Sequence, residues 1–269
     1  MVSFLFWNLH CKSLEHLIRL LLEEHEPDIV ILAECEIPSA VLRATLTTIP
    51  KLRYRLLDDD PSPRLVFLSR LPRRAIRPVS DEGGIAIRRV FSPLNEELLL
   101  VAVHLSSKLR LESDEQGLLA TRLPQVIGEA EKKVKHFRTV VIGDFNMDPF
   151  EVGLTSSETL HAVMDRRVAA RQMRQVKGWE RRFFYNPMWN FLGDATAGPP
   201  GTYFYNDSTP VAHFWHTFDQ VLIRPDLLPN FKDENVSVLT SASATSLLDG
   251  KGQPNTAIAS DHLPLLFKI

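Results

Sequence analysis

The chain has 269 residues, 44% of them hydrophobic and 24% charged, and a net charge of −2. These values exclude intrinsic disorder, collagen-like repeats and coiled coils, and no apolar run nears the roughly 18 residues of a membrane span. They also exclude a protein that holds nucleic acid by overall positive charge, so a polyanionic substrate needs local cations. Two cysteines, Cys11 and Cys35, are too few for a disulfide scaffold or a four-cysteine zinc site, and they read as small buried hydrophobes. The apolar N-terminus lacks a basic region and meets Asn8, His10 and Lys12 too early for a signal peptide. The expected location is the cytoplasm, with no membrane partner.

In chain order, residues 2–8 predict a buried strand that ends on polar Asn8. Ser13 is placed to cap a helix with Leu14, Leu17, Ile18, Leu21 and Leu22 on one face, stopped by Pro27. Residues 28–34 (DIVILAE) give a second strand ending on Glu34. A strand–helix–strand unit of this length implies parallel neighbours with both polar ends at one sheet edge. Residues 64–69, 74–79, 84–91 and 97–104 are short β-like runs between Pro-, Gly- and Asp-rich turns, which suggests an antiparallel stretch. A helix is expected over 112–137, interrupted near Pro124, then a strand over 138–142 running into Gly143-Asp144-Phe145-Asn146. Asp148-Pro149-Phe150-Glu151 has the residue types of a helix start. Residues 178–216 are irregular and aromatic. Strands follow at 218–223 and 236–239, a polar loop at 240–259, and a last strand at 263–269. No repeat or linker interrupts this order, and the elements fit one mixed α/β domain over 1–269.

Charge is segregated. Residues 61–92 and 165–182 each carry seven basic and two acidic side chains, set between acidic stretches. Either island alone reads as a solvated face. Together they offer places where a phosphate backbone could lie.

Polar residues recur where apolar strands end: Asn8, Glu34, His104, Asp144 with Asn146, Asp219, and Asp261 with His262. One such residue is ordinarily a turn former. Carboxylates crowded on one edge repel each other unless a cation or histidine partners are present. Hard oxygen donors without a zinc-type cysteine or histidine cluster point to Mg2+, with Mn2+ as the alternative.

The segments FWN at 6–8, AE at 33–34, VHL at 103–105, GDFN at 143–146, FDQVLI at 218–223 and SDHLPL at 260–265 resemble the endonuclease/exonuclease/phosphatase superfamily. The resemblance runs in order along the whole chain. It implies a four-layer α/β sandwich of two packed mixed β-sheets flanked by helices, as in deoxyribonuclease I, and metal-dependent hydrolysis of phosphate esters. By the same resemblance, Asn8, Glu34 and Asp261 are the metal-site residues. Asp144 and Asn146 match the pair that positions the attacking water and the phosphate, Asp219 orients His262, and His104 is placed near the leaving group, with the acid and base roles open to the reverse assignment. A histidine–carboxylate pair suits this chemistry because it tunes imidazole near neutral pH.

The match departs from the deoxyribonuclease I pattern around 61–70, where Pro63 and Arg64 stand in place of a glutamate, leaving the partner of His104 unidentified. His216-Thr217-Phe218 replaces the tryptophan and cysteine of inositol 5-phosphatases, and no apolar lipid-binding hairpin is evident. His10, His213 and His216 read as locally satisfied loop histidines. Rings within 179–215, with Arg166, Arg167, Arg171, Arg174, Lys177, Arg181 and Arg182 upstream, suggest an aromatic platform beside a basic rim. The expected function is a phosphodiesterase or nuclease acting on DNA or RNA. The alternative is a phosphatase or phosphodiesterase of a small or lipid-type phosphate.

Overall fold

Alternation along the strands sorts the side chains into layers. The computed structural model describes residues 1–57, 64–92, 96–106, 113–193, 195–206, 208 and 210–269, with side chains of its long central helix described from Arg122 onward. Pro63 and Glu112 fall outside these residues. In β1 (Ser3–Asn8), Phe4 and Phe6 join one apolar cluster while Leu5 and Trp7 join another, and all four are buried. A strand buried on both faces has a layer above and a layer below.

Those layers are two sheets and their helices. The first sheet has the order β16 (Val236–Val238), β19 (Leu265–Lys268), β1, β2 (Ile29–Ala33), β4 (Leu65–Ser69) and β3 (Arg55–Leu56). The second has the order β5 (Ile76–Glu82), β6 (Ile85–Phe91), β7 (Glu97–His104), β8 (Thr139–Asp144), β15 (Asp219–Ile223), β12 (Phe184–Tyr185) and β9 (Ala162–Val163). Between them Phe4, Phe6 and Ile31 pack with Leu100, Ile142 and Val221. Full burial of each such side chain contributes about 1.5–3 kcal/mol.

The outer face of the first sheet is covered by α1 (Glu15–His25), through Leu17, Ile18, Leu21 and Leu22, and by α2 (Ser39–Thr47), through Leu42 and Leu46. The second sheet is covered by α3 (Ser113–Val134), with Leu123 and Ile127 on Ile87, Leu99 and Val101. The result is the four-layer α/β sandwich. The short pieces are α4 (Val152–Thr155), α5 (Arg166–Ala169) and the two-stranded units β10 (Met173–Val176) with β11 (Trp179–Arg182), β13 (Tyr203–Phe204) with β14 (Trp215–His216), and β17 (Ser241–Ala242) with β18 (Thr245–Ser246). Among the described residues no helix is long and apolar enough to cross a membrane.

Several sequence expectations are corrected. Helix α1 begins at Glu15 and receives no side-chain cap from Ser13. Helix α2 was not anticipated; its short amphipathic stretch has no capping side chain to announce it. Residues 65–69 pair with β2 in the first sheet and not with the antiparallel run of β5, β6 and β7. Helix α3 runs through Pro124, because burial of Leu123, Val126, Ile127 and Ala130 outweighs the hydrogen bond that a proline cannot donate. Asp148 opens a turn ahead of α4, its N–H donating to Glu151 and its carboxylate committed elsewhere. Cys11 is exposed and Cys35 half-buried.

Register gathers the polar strand ends. β1 and β2 run parallel, Asn8 opposite Ala33, and Glu34 follows at once in a left-handed conformation, φ 46°. β7 and β8 are also parallel, with His104 opposite Asp144, and antiparallel β15 sets Asp219 against Asp144. Gly143 makes this row possible. A Cβ there would lie 1.9 Å from the Val103 carbonyl oxygen, and its φ is +152°. Gly143→Ala is therefore expected to lower unfolding free energy by roughly 2 kcal/mol or more, measured by denaturant titration. An unchanged midpoint would show that β7 and β8 yield at this point.

Candidate active site

Five of the eight predicted residues, Asn8, Glu34, His104, Asp144 and Asn146, form a connected group. Asn8 donates through Nδ2 to Asp144 Oδ2 at 3.0 Å and, more weakly, to Glu34 Oε1 at 3.4 Å. Glu34 Oε1 also lies 3.2 Å from His104 Nε2, which supplies the missing partner of that histidine. The Asn146 N–H donates to Asp144 Oδ1 at 2.8 Å and its side-chain amide to the Leu105 carbonyl. Asn146 takes the left-handed backbone, φ 50°, that closes this turn. Such conformations persist where surrounding structure enforces them, and they cluster at functional sites.

Of the other three predicted residues, Asp261 and His262 come from the last turn before β19. Ser260 Oγ donates to the Asn8 carbonyl, the His262 N–H donates to Ser260 Oγ, and Trp7 Nε1 donates to the His262 carbonyl. This fastens the turn to the end of β1. His262 Nδ1 then meets Asp219 Oδ2 at 2.8 Å, and this pair stands beside Asp144, ligand atoms of the three lying within 4.8 Å of one another. Asp261 stays at the rim, its Oδ2 3.3 Å from His10 Nδ1, without a hydrogen bond to Glu34 or Asp144. The Asn8 oxygen is taken by the His10 N–H, so this amide faces the carboxylates as a donor.

Electrostatics follow from the crowding. Burial would favour neutral imidazole at His262, but the charge and hydrogen bond of Asp219, with Asp144 and Asp261 nearby, raise its pKa to about 10. Burial and the Asp219 charge push Asp144 up, against His262, His104 and the Asn146 N–H. The hydrogen bond from His104 holds Glu34 down at about 2, helped by Asn8 and by the charge of His262. Tyr203, whose ring lies 4.7 Å from that of His262, is pushed up to about 12 by burial and by Asp261, Asp144 and Glu34.

The donor set fits a hard divalent cation. Oxygen atoms dominate, Asp219 Oδ1 is buried without a hydrogen-bond partner, and Asp144, Asp219 and His262 offer ligand atoms within 4.8 Å of one another. Of these, His262 Nδ1 is already committed to Asp219.

Most of the placed cations of the basic islands lie away from this edge. Of the first, Arg64 does border it, bonding Ser106 beside His104. Arg70 pairs with Glu26 and Asp28 at the opposite end of β2, and Arg89 with Glu97 at the opposite end of β7. Of the second, the hairpin of β10 and β11 is rooted through Gln172 and Phe183, and the Phe183 carbonyl accepts from Arg224 past the far end of β15. Arg166, Arg181 and Arg182 serve Asp233, Glu158 and the Phe137 ring. Strand-end acids gathered here because of register, whereas charge islands carry no such placement rule.

A second imidazole–carboxylate pair was missed. His216 Nδ1 lies 2.7 Å from Asp148 Oδ2, and Asp148 Oδ1 accepts the Thr217 N–H. The signal was proximity to motifs, His216 three residues before Asp219 and Asp148 two after Asn146. Without the fold, that spacing brings nothing together.

In sequence, no family model and none of the curated proteins matches this chain. In structure it is similar to the 3′ phosphatase NExo from Neisseria, bound to a product DNA hairpin, with a TM-score of 0.56 and 14% identity over 100% of this chain and 99% of that one. It is similar to an AP endonuclease from Archaeoglobus fulgidus, with a TM-score of 0.54 and 15% identity over 100% of both chains. An endonuclease/exonuclease/phosphatase family protein from Bacteroides thetaiotaomicron gives a TM-score of 0.54 and 12% identity over 100% and 98%. The chain shares with these proteins the four-layer α/β sandwich fold.

A folded-state pKa above the unfolded value stabilises the fold fully below about pH 6.5, and that contribution is lost as pH rises through about 10. In protein treated with a chelator, the His262 ring should titrate far above an ordinary histidine by NMR, and Asp219→Asn should bring it down. Equal titration in the two proteins would mean that Asp219 does not hold the imidazolium.

Proposed function

We propose that this chain is a divalent-metal-dependent hydrolase of phosphate esters, using Mg2+ or Mn2+, and that its substrate is DNA or RNA. The observation that carries the reading is the single edge where Asn8, Glu34, His104, Asp144 and Asn146 are joined by direct polar contacts and the Asp219–His262 pair stands beside Asp144, ligand atoms of the three within 4.8 Å. The structural neighbours agree in chemistry, one being a 3′ phosphatase and another an AP endonuclease.

Glu34 and Asp261 are the carboxylates proposed to hold the ion, because His262 Nδ1 is committed to Asp219 and the Asn8 amide faces the acids as a donor. When bound, the metal would neutralise charge building on the phosphate and lower the pKa of a bound water. The chain's own residues divide the remaining work. Asp144, whose proton affinity is raised by burial, accepts the proton of the attacking water, and Asn146 fixes its carboxylate. His262, an imidazolium held by Asp219, donates through Nε2 to a phosphate oxygen and so cannot also be the base. His104, anchored on Glu34, serves the leaving oxygen.

A second reading is favoured by the placement of the basic islands. With those cations toward the opposite ends of the strands, a small phosphate ester or a short nucleic-acid end fits the edge better than a long backbone track.

Pure protein with Mg2+ or Mn2+ should cleave at least one of plasmid DNA, single-stranded DNA, RNA or a small organic phosphate. Asp144→Ala and His262→Ala should each reduce the rate by about 100-fold or more with unchanged circular dichroism. Cleavage of nothing on this panel would overturn hydrolysis, and release of phosphate only from the small ester would overturn the nucleic-acid claim.

A further inference from the structure

The pair that the mechanism leaves unused is built like the one it uses. In both, a buried aspartate holds Nδ1 of a histidine, at 2.8 Å for Asp219 with His262 and 2.7 Å for Asp148 with His216. Asp148 is locked further by the Thr217 N–H, and the Asp148 N–H donates to Glu151. In each histidine the tether uses Nδ1, and among the described residues no hydrogen bond engages Nε2. For a purely structural histidine, so heavily fixed an imidazole with one nitrogen unspent is unnecessary.

Its position is next to the hydrolytic pair. Thr202 joins the two, donating its N–H to the His216 carbonyl and accepting the Asp219 N–H at its hydroxyl. The rings continue the link: His216 stacks on Phe218 at 4.7 Å, Phe218 on Tyr203 at 5.3 Å, and Tyr203 lies over His262 at 4.7 Å. On its other side His216 meets His213 edge-on at 6.2 Å, and His213 meets Phe150 at 5.6 Å. Phe150 is 44% exposed although it also contacts Trp189. A large ring left in water, joined through His213 to the fixed imidazole of His216, is what a flat, polar-edged ligand would cover.

We propose that His216, fixed by Asp148, binds substrate beside the scissile phosphate, donating from Nε2 to a sugar or phosphate oxygen of a nucleotide whose base stacks on Phe150 and His213. The inference rests on the phosphoesterase reading and narrows its substrate to one with a nucleoside next to the cleaved bond. His216 is a positioning residue, so its loss weakens binding more than turnover.

Two substitutions separate the nitrogens. In His216→Asn the amide NH2 can replace Nδ1 toward Asp148 while nothing stands at Nε2; in His216→Gln the amide reaches the Nε2 position. With a short single-stranded oligonucleotide, His216→Asn should raise KM about tenfold with kcat nearly unchanged, the scale of one lost hydrogen bond, and His216→Gln should restore much of it. In wild-type protein, the His216 ring resonances should shift on titration with adenosine 5′-monophosphate and far less with inorganic phosphate. Unchanged KM in His216→Asn, or equal losses in both variants, overturns the proposal. The titration stands apart from hydrolysis. If no nucleic acid is cleaved but adenosine monophosphate still shifts His216, the catalytic reading fails and the subsite survives. If cleavage proceeds with no such shift, the subsite fails alone.

Discussion

Like charges packed at one edge constrain everything else about this molecule. Glu34, Asp144, Asp219 and Asp261 are brought to the same end of two sheets by strand register and by a turn strapped to β1. Burial makes their repulsion costly, and the fold answers with an imidazolium on Asp219, an imidazole on Glu34 and an amide that donates to two of the acids. Tyr203, pushed up to about 12 by burial and then by three of these carboxylates, reports the same negative field. Such a field is costly to maintain for stability alone. It is suited to a divalent ion and to phosphate chemistry at that ion.

Much of this was legible in the sequence, for a reason that can be named. A strand buried on both faces reads as an apolar run, and where it stops the next residue must face water or the site. Asn8, Glu34, His104 and Asp144 stand where such runs stop, Asp219 instead opens its strand, and GDFN and SDH carried the resemblance that ordered them. Gly143 could be placed in a motif, but its function, letting Val103 approach within hydrogen-bond range of β8, needed the register. The Glu34–His104 contact joins residues seventy positions apart across two sheets, and no spacing rule predicts it.

Charge was read less well. Segregation of basic residues along the chain suggested a phosphate track, yet most of those arginines answer local acids or rings at the other end of the sandwich. Linear clustering reports composition, and only strands convert it into direction. Aromatic residues behaved differently: Tyr203 and Phe218 line the Asp219–His262 pair, and Phe150 with His213 extends the wall beyond it. What borders this edge is rings and imidazoles more than a basic rail.

The central claim is that this edge is a metal centre. It is tested most directly by Mn2+ binding to purified protein, followed by calorimetry or by the loss of the free-ion paramagnetic resonance signal. Wild type should show saturable binding, and Glu34→Ala should weaken it by at least about tenfold while the fold is retained. Equal binding by the two proteins would contradict the account, because the carboxylate assigned to the ion would then have no part in holding it.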